Sequence, residues 1–198
     1  TEIPPFWALY GQAWETFAET RNTSSAILSL ATCAETGLKW HINRAGDEMV
    51  RYLIGRMPSP PLRHLFQCCR EHADLDLPEH FSGWLHRLTE ARNQIAHSER
   101  GAAVHPLVFG RWCATVEAIL ARLLDHDVDE RVGKFVRPIG ARREEQFTEF
   151  SRGVILRRER YQYEEEPKFH VLMDSGVSYY FDEQAFEILT QQGFNISA

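Results

Sequence analysis

Apolar side chains recur at helical spacing through the first two thirds of this chain, and that period restricts its fold more than any other feature. "PPFWALYGQAWETFAETR" sets Phe6, Leu9, Tyr10, Ala13, Trp14 and Phe17 on one side of a helix, behind prolines that suit a helix start. "NTSSAILSLATCAETGLKWHI" predicts a second helix, with Ser24 or Ser25 as its cap and Gly37 as an interruption. "AGDEMVRYLIGRM" reads as a shorter helix with Asp47 near its start. "PSPP" is a firm break. Beyond it, "LRHLFQCCREHADL" predicts a helix of about three to four turns. The long segment "LPEHFSGWLHRLTEARNQIAHSE" begins with Pro78 in its first turn and Glu79 at the positive end of the dipole. After the loop "RGAAVHP", the segment "LVFGRWCATVEAILARLLDHD" lines up Val108, Trp112, Val116, Ile119, Leu120 and Leu123.

The pattern changes near residue 127. "DVDERVGKFVRPIGARREEQF" mixes charge, Gly and Pro and reads as a linker. "GVILRRERYQYEEE" and "KFHVLMDSGVSYYF" have the β-branched and aromatic content of strands, with "DSG" as a tight turn. "DEQAFEILTQQG" reads as a final short helix, capped by Asp182 and stopped at Gly193. The expected architecture is therefore mainly α. Residues 1–127 form an antiparallel helical bundle, and residues 128–198 form a linker and a small α+β module of hairpin plus helix.

Composition narrows the function classes. The formal net charge is -6, which argues against a dedicated duplex-DNA binder with a basic face. An enzyme that touches RNA locally is compatible with it. The four cysteines, Cys33, Cys68, Cys69 and Cys113, form no CxxC pair, and the usage points to a reducing, cytoplasmic setting. No apolar run reaches the ~18–20 residues of a membrane span, and no signal peptide is visible. "NIS" at Asn195 matches a glycosylation sequon without other signs of secretion. The chain opens on Thr, and "TEIPPFW" reads as mid-chain sequence, so the expectation is either a domain cut from a longer protein, with room for a sensor or antitoxin region, or a chain with its start trimmed.

The stretch "LTEARNQIAHSER" raises the functional question. On a helix, Trp84, Leu88, Ala91 and Ile95 make one apolar stripe directed at the core. His86, Glu90, Asn93 and His97 fall at the same intervals two residues on and make a polar stripe, in which Asn93 and His97 are i,i+4 neighbours. Arg92 precedes His97 by five positions, about 140° around the helix. It sits at the border of the apolar stripe, its stem along apolar surface. As an isolated pattern this is a solvated helix face. The local sequence is more specific than that.

"RNQIAH" at the end of a hydrophobic helix, followed by a loop and another amphipathic helix, resembles the HEPN superfamily. That family's hallmark is Arg, usually followed by a polar residue such as Asn, with His about five positions on. Arg92, Asn93 and His97 match those positions, and Ile95 and Ala96 match the common "RNxIAH" form. The resemblance covers roughly residues 6–127 and not the tail. It implies a HEPN-like bundle and metal-independent endoribonuclease activity without a cofactor. It also implies a homodimer in which two motifs line one cleft. The implied setting is a toxin-like effector of phage defence or of a toxin–antitoxin pair, with an antitoxin or sensor domain as partner and RNA as substrate.

The chemistry suits those residues. RNA cleavage without metal requires removing the ribose 2′-OH proton, stabilising charge on phosphate and protonating the leaving 5′ oxygen. Imidazole titrates near neutral pH and serves as base or acid. Arginine offers a permanent charge and a fork matched to phosphate oxygens. His97 is thus the expected proton-transfer residue, Arg92 the phosphate stabiliser and Asn93 the orienting group. Glu90 and His86 are supporting candidates on helix geometry alone, and Ser98 is a weaker one.

Other constellations carry less. His64, Cys68 and His72 have zinc-compatible spacing, but a tetrahedral set on one straight helix is geometrically poor. His86, Glu90 and His97 lack the HExxH arrangement. "RRERYQY" alternates Arg with Tyr, a pattern for single-stranded nucleic acid, but also for a surface strand. The alternative function is a non-catalytic HEPN interaction or ligand-binding module within a larger protein.

Overall fold

The computed structural model describes residues 4–57, 60–76, 80–97, 103–139, 147–148, 150–160 and 166–189. Ser98, Asn195, Tyr161, Tyr163, Pro78 and Glu79 lie outside them. Among the described residues, six α-helices precede a five-stranded antiparallel sheet. The chain divides into two compact units. The first comprises Thr1–Ala103 with Ile119–Asp127, and the second Val104–Ala118 with Val128–Ala198.

The first unit holds α1 (Pro5–Glu15), which ends in a π-helical turn at Thr16–Thr20, and α2 (Thr23–Ala45). It also holds α3 (Glu48–Arg56), α4 (Leu62–His72), α5 (His80–His97) and the last turn of α6 (Pro106–Leu123). The α1 face buries Phe6, Tyr10, Ala13 and Phe17. Ile27, Leu30, Ala34, Leu38 and Ile42 of α2 are likewise buried. Gly37 does not interrupt α2. A Cβ there would stand 2.6 Å from Leu120 Cδ2 and 3.3 Å from Leu123 Cδ1, so the missing side chain admits α6. The α2 cap is Asn22 rather than a serine: its Oδ1 accepts from Ser25 N at 3.1 Å. Asn22→Ala is expected to cost about 1 kcal/mol, read as a lower urea midpoint at unchanged m-value. Asp47 caps α3, accepting from Val50 N at 2.8 Å.

The second unit overturns the expectation of a mainly α protein with a small tail: it is built on a sizeable sheet, and the fold class is α+β. The strands are β1 (Phe135–Pro138), β2 (Gly153–Glu159), β3 (Lys168–Met173), β4 (Ser178–Phe181) and β5 (Phe186–Ile188), in the order β4-β3-β2-β1-β5. The hairpin turn at "DSG" is present, with Gly176 N donating to Met173 O. Two strands lie where none was expected. β1 falls inside the supposed linker. β5 replaces the start of the supposed final helix, preceded by a single 3-10 turn at Glu183–Ala185. β1 pairs with both β2 and β5. Leu189 N donates to Phe135 O and Ile139 N to Ala185 O, each at 2.8 Å. Those bonds, and burial of Phe186 against Phe169 with ring centroids 5.3 Å apart, override a weak local helical preference.

One face of the sheet buries Val136, Ile155, Phe169, Val171, Met173, Phe181 and Phe186, with Phe147 packed against them. The other meets the first part of α6. A Cβ at Gly110 would stand 2.5 Å from Val154 Cγ1 and 2.8 Å from Leu172 Cδ2, so only glycine allows this approach. A bulge between Ile155 and Arg157 shifts the β2–β3 register and brings Arg157 opposite His170. His170 stacks on Tyr180, centroids 4.7 Å apart and planes within 13°. Burial first, and the Arg157 cation second, push its imidazole down to about 4, against an opposing pull from Glu159. The unfolded chain takes up that proton near pH 6.5, so it binds more protons than the folded chain as pH falls below that value. Stability from neutral His170 is complete above about 6.5 and declines as pH falls toward about 4. His170→Phe, which keeps a stacked ring, is expected to flatten that decline, read from denaturation midpoints at neutral pH and near the lower limit.

Among the described residues no helix is long and apolar enough to cross a membrane. Among the described residues no disulfide joins any of the four cysteines.

Candidate functional site

The helix α5 positions the expected site residues, but its buried face is not centred where the sequence placed it. Phe81, Ser82, Leu85, Leu88 and Thr89 are buried, while Trp84, Ala91 and Ile95 are only half-buried. The Arg87 guanidinium lies over the Trp84 ring at 5.0 Å, covering it from outside. Arg92 therefore continues the inward stripe Phe81, Leu85, Leu88 at i+11, i+7 and i+4, rather than standing at its border.

That shift places the Arg92 guanidinium against α2. Its NH1 meets Glu35 Oε2 at 3.3 Å, with side chains 19% and 16% exposed. Lys39 Nζ reaches the other oxygen, Glu35 Oε1, at 2.7 Å. Arg92 Nε and NH2 both donate to Asn93 Oδ1, at 3.4 and 3.3 Å. Glu35 thus carries two cations, and Asn93 steadies the guanidinium from its own helix.

His97 is the last residue of α5, and its side chain is exposed, as is that of Asn93. Five residues separate it from Arg92, about 7.5 Å along the axis and about 140° around it. The structure brings Arg92 and Asn93 together, and leaves His97 at the helix end beyond them. His86 and Glu90 form an exposed pair at 3.5 Å, one turn before Asn93. Sequence reading missed Glu35 and Lys39. Their signal was present as an i,i+4 carboxylate–ammonium pair on α2, but nothing local linked it to Arg92.

Of the residues with zinc-compatible spacing, His72 Nε2 lies 3.9 Å from Glu71 Oε2. Cys69 Sγ donates to Leu38 O at 3.6 Å within the core, and burial pushes its thiol up to about 12. Among the described residues no three His, Cys, Asp or Glu side chains gather as a metal site. In β2, Arg157 pairs with Glu159 and, at 3.5 Å, with Glu117, and Arg158 pairs with Asp129 at 3.5 Å. These carboxylates give Arg157 and Arg158 a structural occupation.

Comparison of the chain with family models, with curated proteins and with solved structures gave no match.

Proposed function

We propose that this chain is a HEPN-type endoribonuclease that cleaves RNA without a metal, through Arg92, Asn93 and His97 contributed by two copies of the chain. One observation carries the reading. A guanidinium is fixed by Glu35 and Asn93 at the end of a bundle helix, with an exposed imidazole in the last turn. In the proposed reaction the ribose 2′ oxygen attacks phosphorus while one His97 takes its proton. The phosphorus–5′ oxygen bond breaks, and the second copy's imidazole protonates the departing oxygen. Products are a 2′,3′-cyclic phosphate and a 5′-hydroxyl. Arg92 holds the phosphate charge, and Asn93 orients the guanidinium. A toxin-like role in phage defence or a toxin–antitoxin pair follows from the family resemblance.

The test is RNA cleavage by the purified chain in EDTA, with end-group analysis of the fragments. Cyclic phosphate ends that depend on His97 support the reading. Absence of cleavage across a broad RNA panel sinks it.

A second reading, a non-catalytic interaction module, is favoured by the Arg92–Glu35 pair itself. Both partners lie within one helical unit, so the pair also serves as a tie between α2 and α5.

A further inference from the structure

The helix α3 buries one side and leaves the other without cover. Ile54 is buried and Val50 half-buried. Opposite them, Met49, Tyr52 and Leu53 are 67, 54 and 53% exposed, and Met57, just past the helix end, is 41% exposed. Single exposed apolar residues are ordinary, but large ones gathered at i, i+3 and i+4 on a short helix mark an interaction face. The Arg56 guanidinium lies over the Tyr52 ring at 4.5 Å and so shares that face.

The charges along the helix say what fits. Asp47 and Glu48 stand at its N-terminal end, and Arg56 at its C-terminal end. A helix acidic at one end and basic at the other complements a copy of itself laid antiparallel. The two helix dipoles oppose favourably in the same arrangement. Tyr52 is the middle residue of Glu48–Arg56. A two-fold axis at Tyr52 sets Glu48 across from the second copy's Arg56, Tyr52 against its own copy, and Met49 across from the second copy's Gly55, where no side chain stands in its way. This is the self-complementary pattern of an isologous interface.

We propose that the exposed face of α3 is a self-association surface through which two copies of this chain pair antiparallel. A wholly acidic or wholly basic partner would match only one end of the helix. The apolar patch amounts to a few hundred Å² per copy, which with its charged rim falls below the roughly 1,200 Å² of tight complexes. A weak, concentration-dependent association is therefore expected. The proposal deepens the ribonuclease reading, which requires a second copy, and it is separable from that reading by experiment.

The test is sedimentation of the full chain over a concentration series. It compares the parent with Leu53→Glu, Glu48→Arg, Arg56→Glu and the double reversal, with circular dichroism checking that each variant is folded. The parent is expected to dimerise, and Leu53→Glu to weaken the dimer by at least about tenfold. Each single reversal is expected to weaken it, and the double reversal to restore most of the loss. A monomeric parent throughout means another occupant for this face and overturns the proposal. A dimer indifferent to Leu53→Glu, or a double reversal no better than the singles, also overturns it. Should any of these occur while His97-dependent cleavage persists, the ribonuclease reading stands with a different interface. Should the α3 dimer behave as expected while no RNA is cut, only the ribonuclease reading fails.

Discussion

Replacing His97 by alanine is expected to lower RNA cleavage by about 10²–10⁴-fold, the usual worth of a positioned proton-transfer group. Stability should move by less than about 0.5 kcal/mol, because the side chain is exposed at the end of α5. Arg92→Ala behaves differently. It removes the cation proposed to hold the phosphate, and it takes one of two cations from the Glu35 carboxylate, 16% exposed, leaving Lys39 at the other oxygen. The expected cost is about 1–3 kcal/mol in addition to lost cleavage. Arg92→Lys separates the two effects. A lysine keeps charge opposite Glu35 but cannot form the planar fork, so stability recovers more than activity does. The ribonuclease reading predicts a kinetic loss without a stability loss at His97, and both losses at Arg92. The interaction-module reading predicts a stability loss at Arg92 and nothing at His97. Cleavage rates in EDTA and urea midpoints on the same preparations decide between them. A His97→Ala variant that cuts within about threefold of the parent would remove His97 from the chemistry.

The contrast between these two residues shows where sequence reasoning stopped. The helix carrying them was legible because its apolar period extends over many residues. The direction of Arg92 was not. Trp84 was counted as core, but Arg87 covers it from outside, and the buried stripe turns toward Leu85 and Arg92 instead. The acid that fixes the guanidinium, Glu35, lies on another helix, and periodicity along one element does not identify partners on a second. The same limit explains the sheet. β2, β3 and β4 carry enough Val, Ile, Tyr and Phe to announce themselves. β1, "FVRP", is too short and too mixed in charge to stand out, and β5, "FEI", sits in a segment with helix-compatible neighbours. Each becomes a strand because the other is beside it, in a pairing that joins Val136 to Ile188 across a long stretch of chain. The Asn22 cap went unread for a smaller reason: the run "RNTSS" offers several capping side chains in succession, and only backbone geometry selects among them.

Phe169→Ala is expected to be the most destabilising single change in the sheet unit, at about 3–5 kcal/mol. Phe169 is fully buried in β3, where its ring meets Phe186 edge-on and lies under the Arg131 guanidinium at 4.4 Å. Truncation opens a cavity among side chains from β1, β2, β4 and β5, which cannot collapse together because each is held in its own register. It also strips the apolar contact from Arg131, which ties Asp129 bidentately through Nε at 2.8 Å and NH2 at 2.9 Å and pairs with Glu183. That network holds the Asp129 carboxyl below the usual carboxylate range, through its hydrogen bonds from Arg131 first. The loss of stability should therefore be larger at neutral pH than below the carboxylate range, where protonation of Asp129 has already weakened the pair. Phe169→Leu, which keeps most of the volume, should cost less than about 1.5 kcal/mol. Urea unfolding of the three proteins at both pH values checks the order. A Phe169→Ala variant within about 1 kcal/mol of the parent would mean that the sheet core centres elsewhere, on the contact of β2 with α6 through Gly110 and Val154.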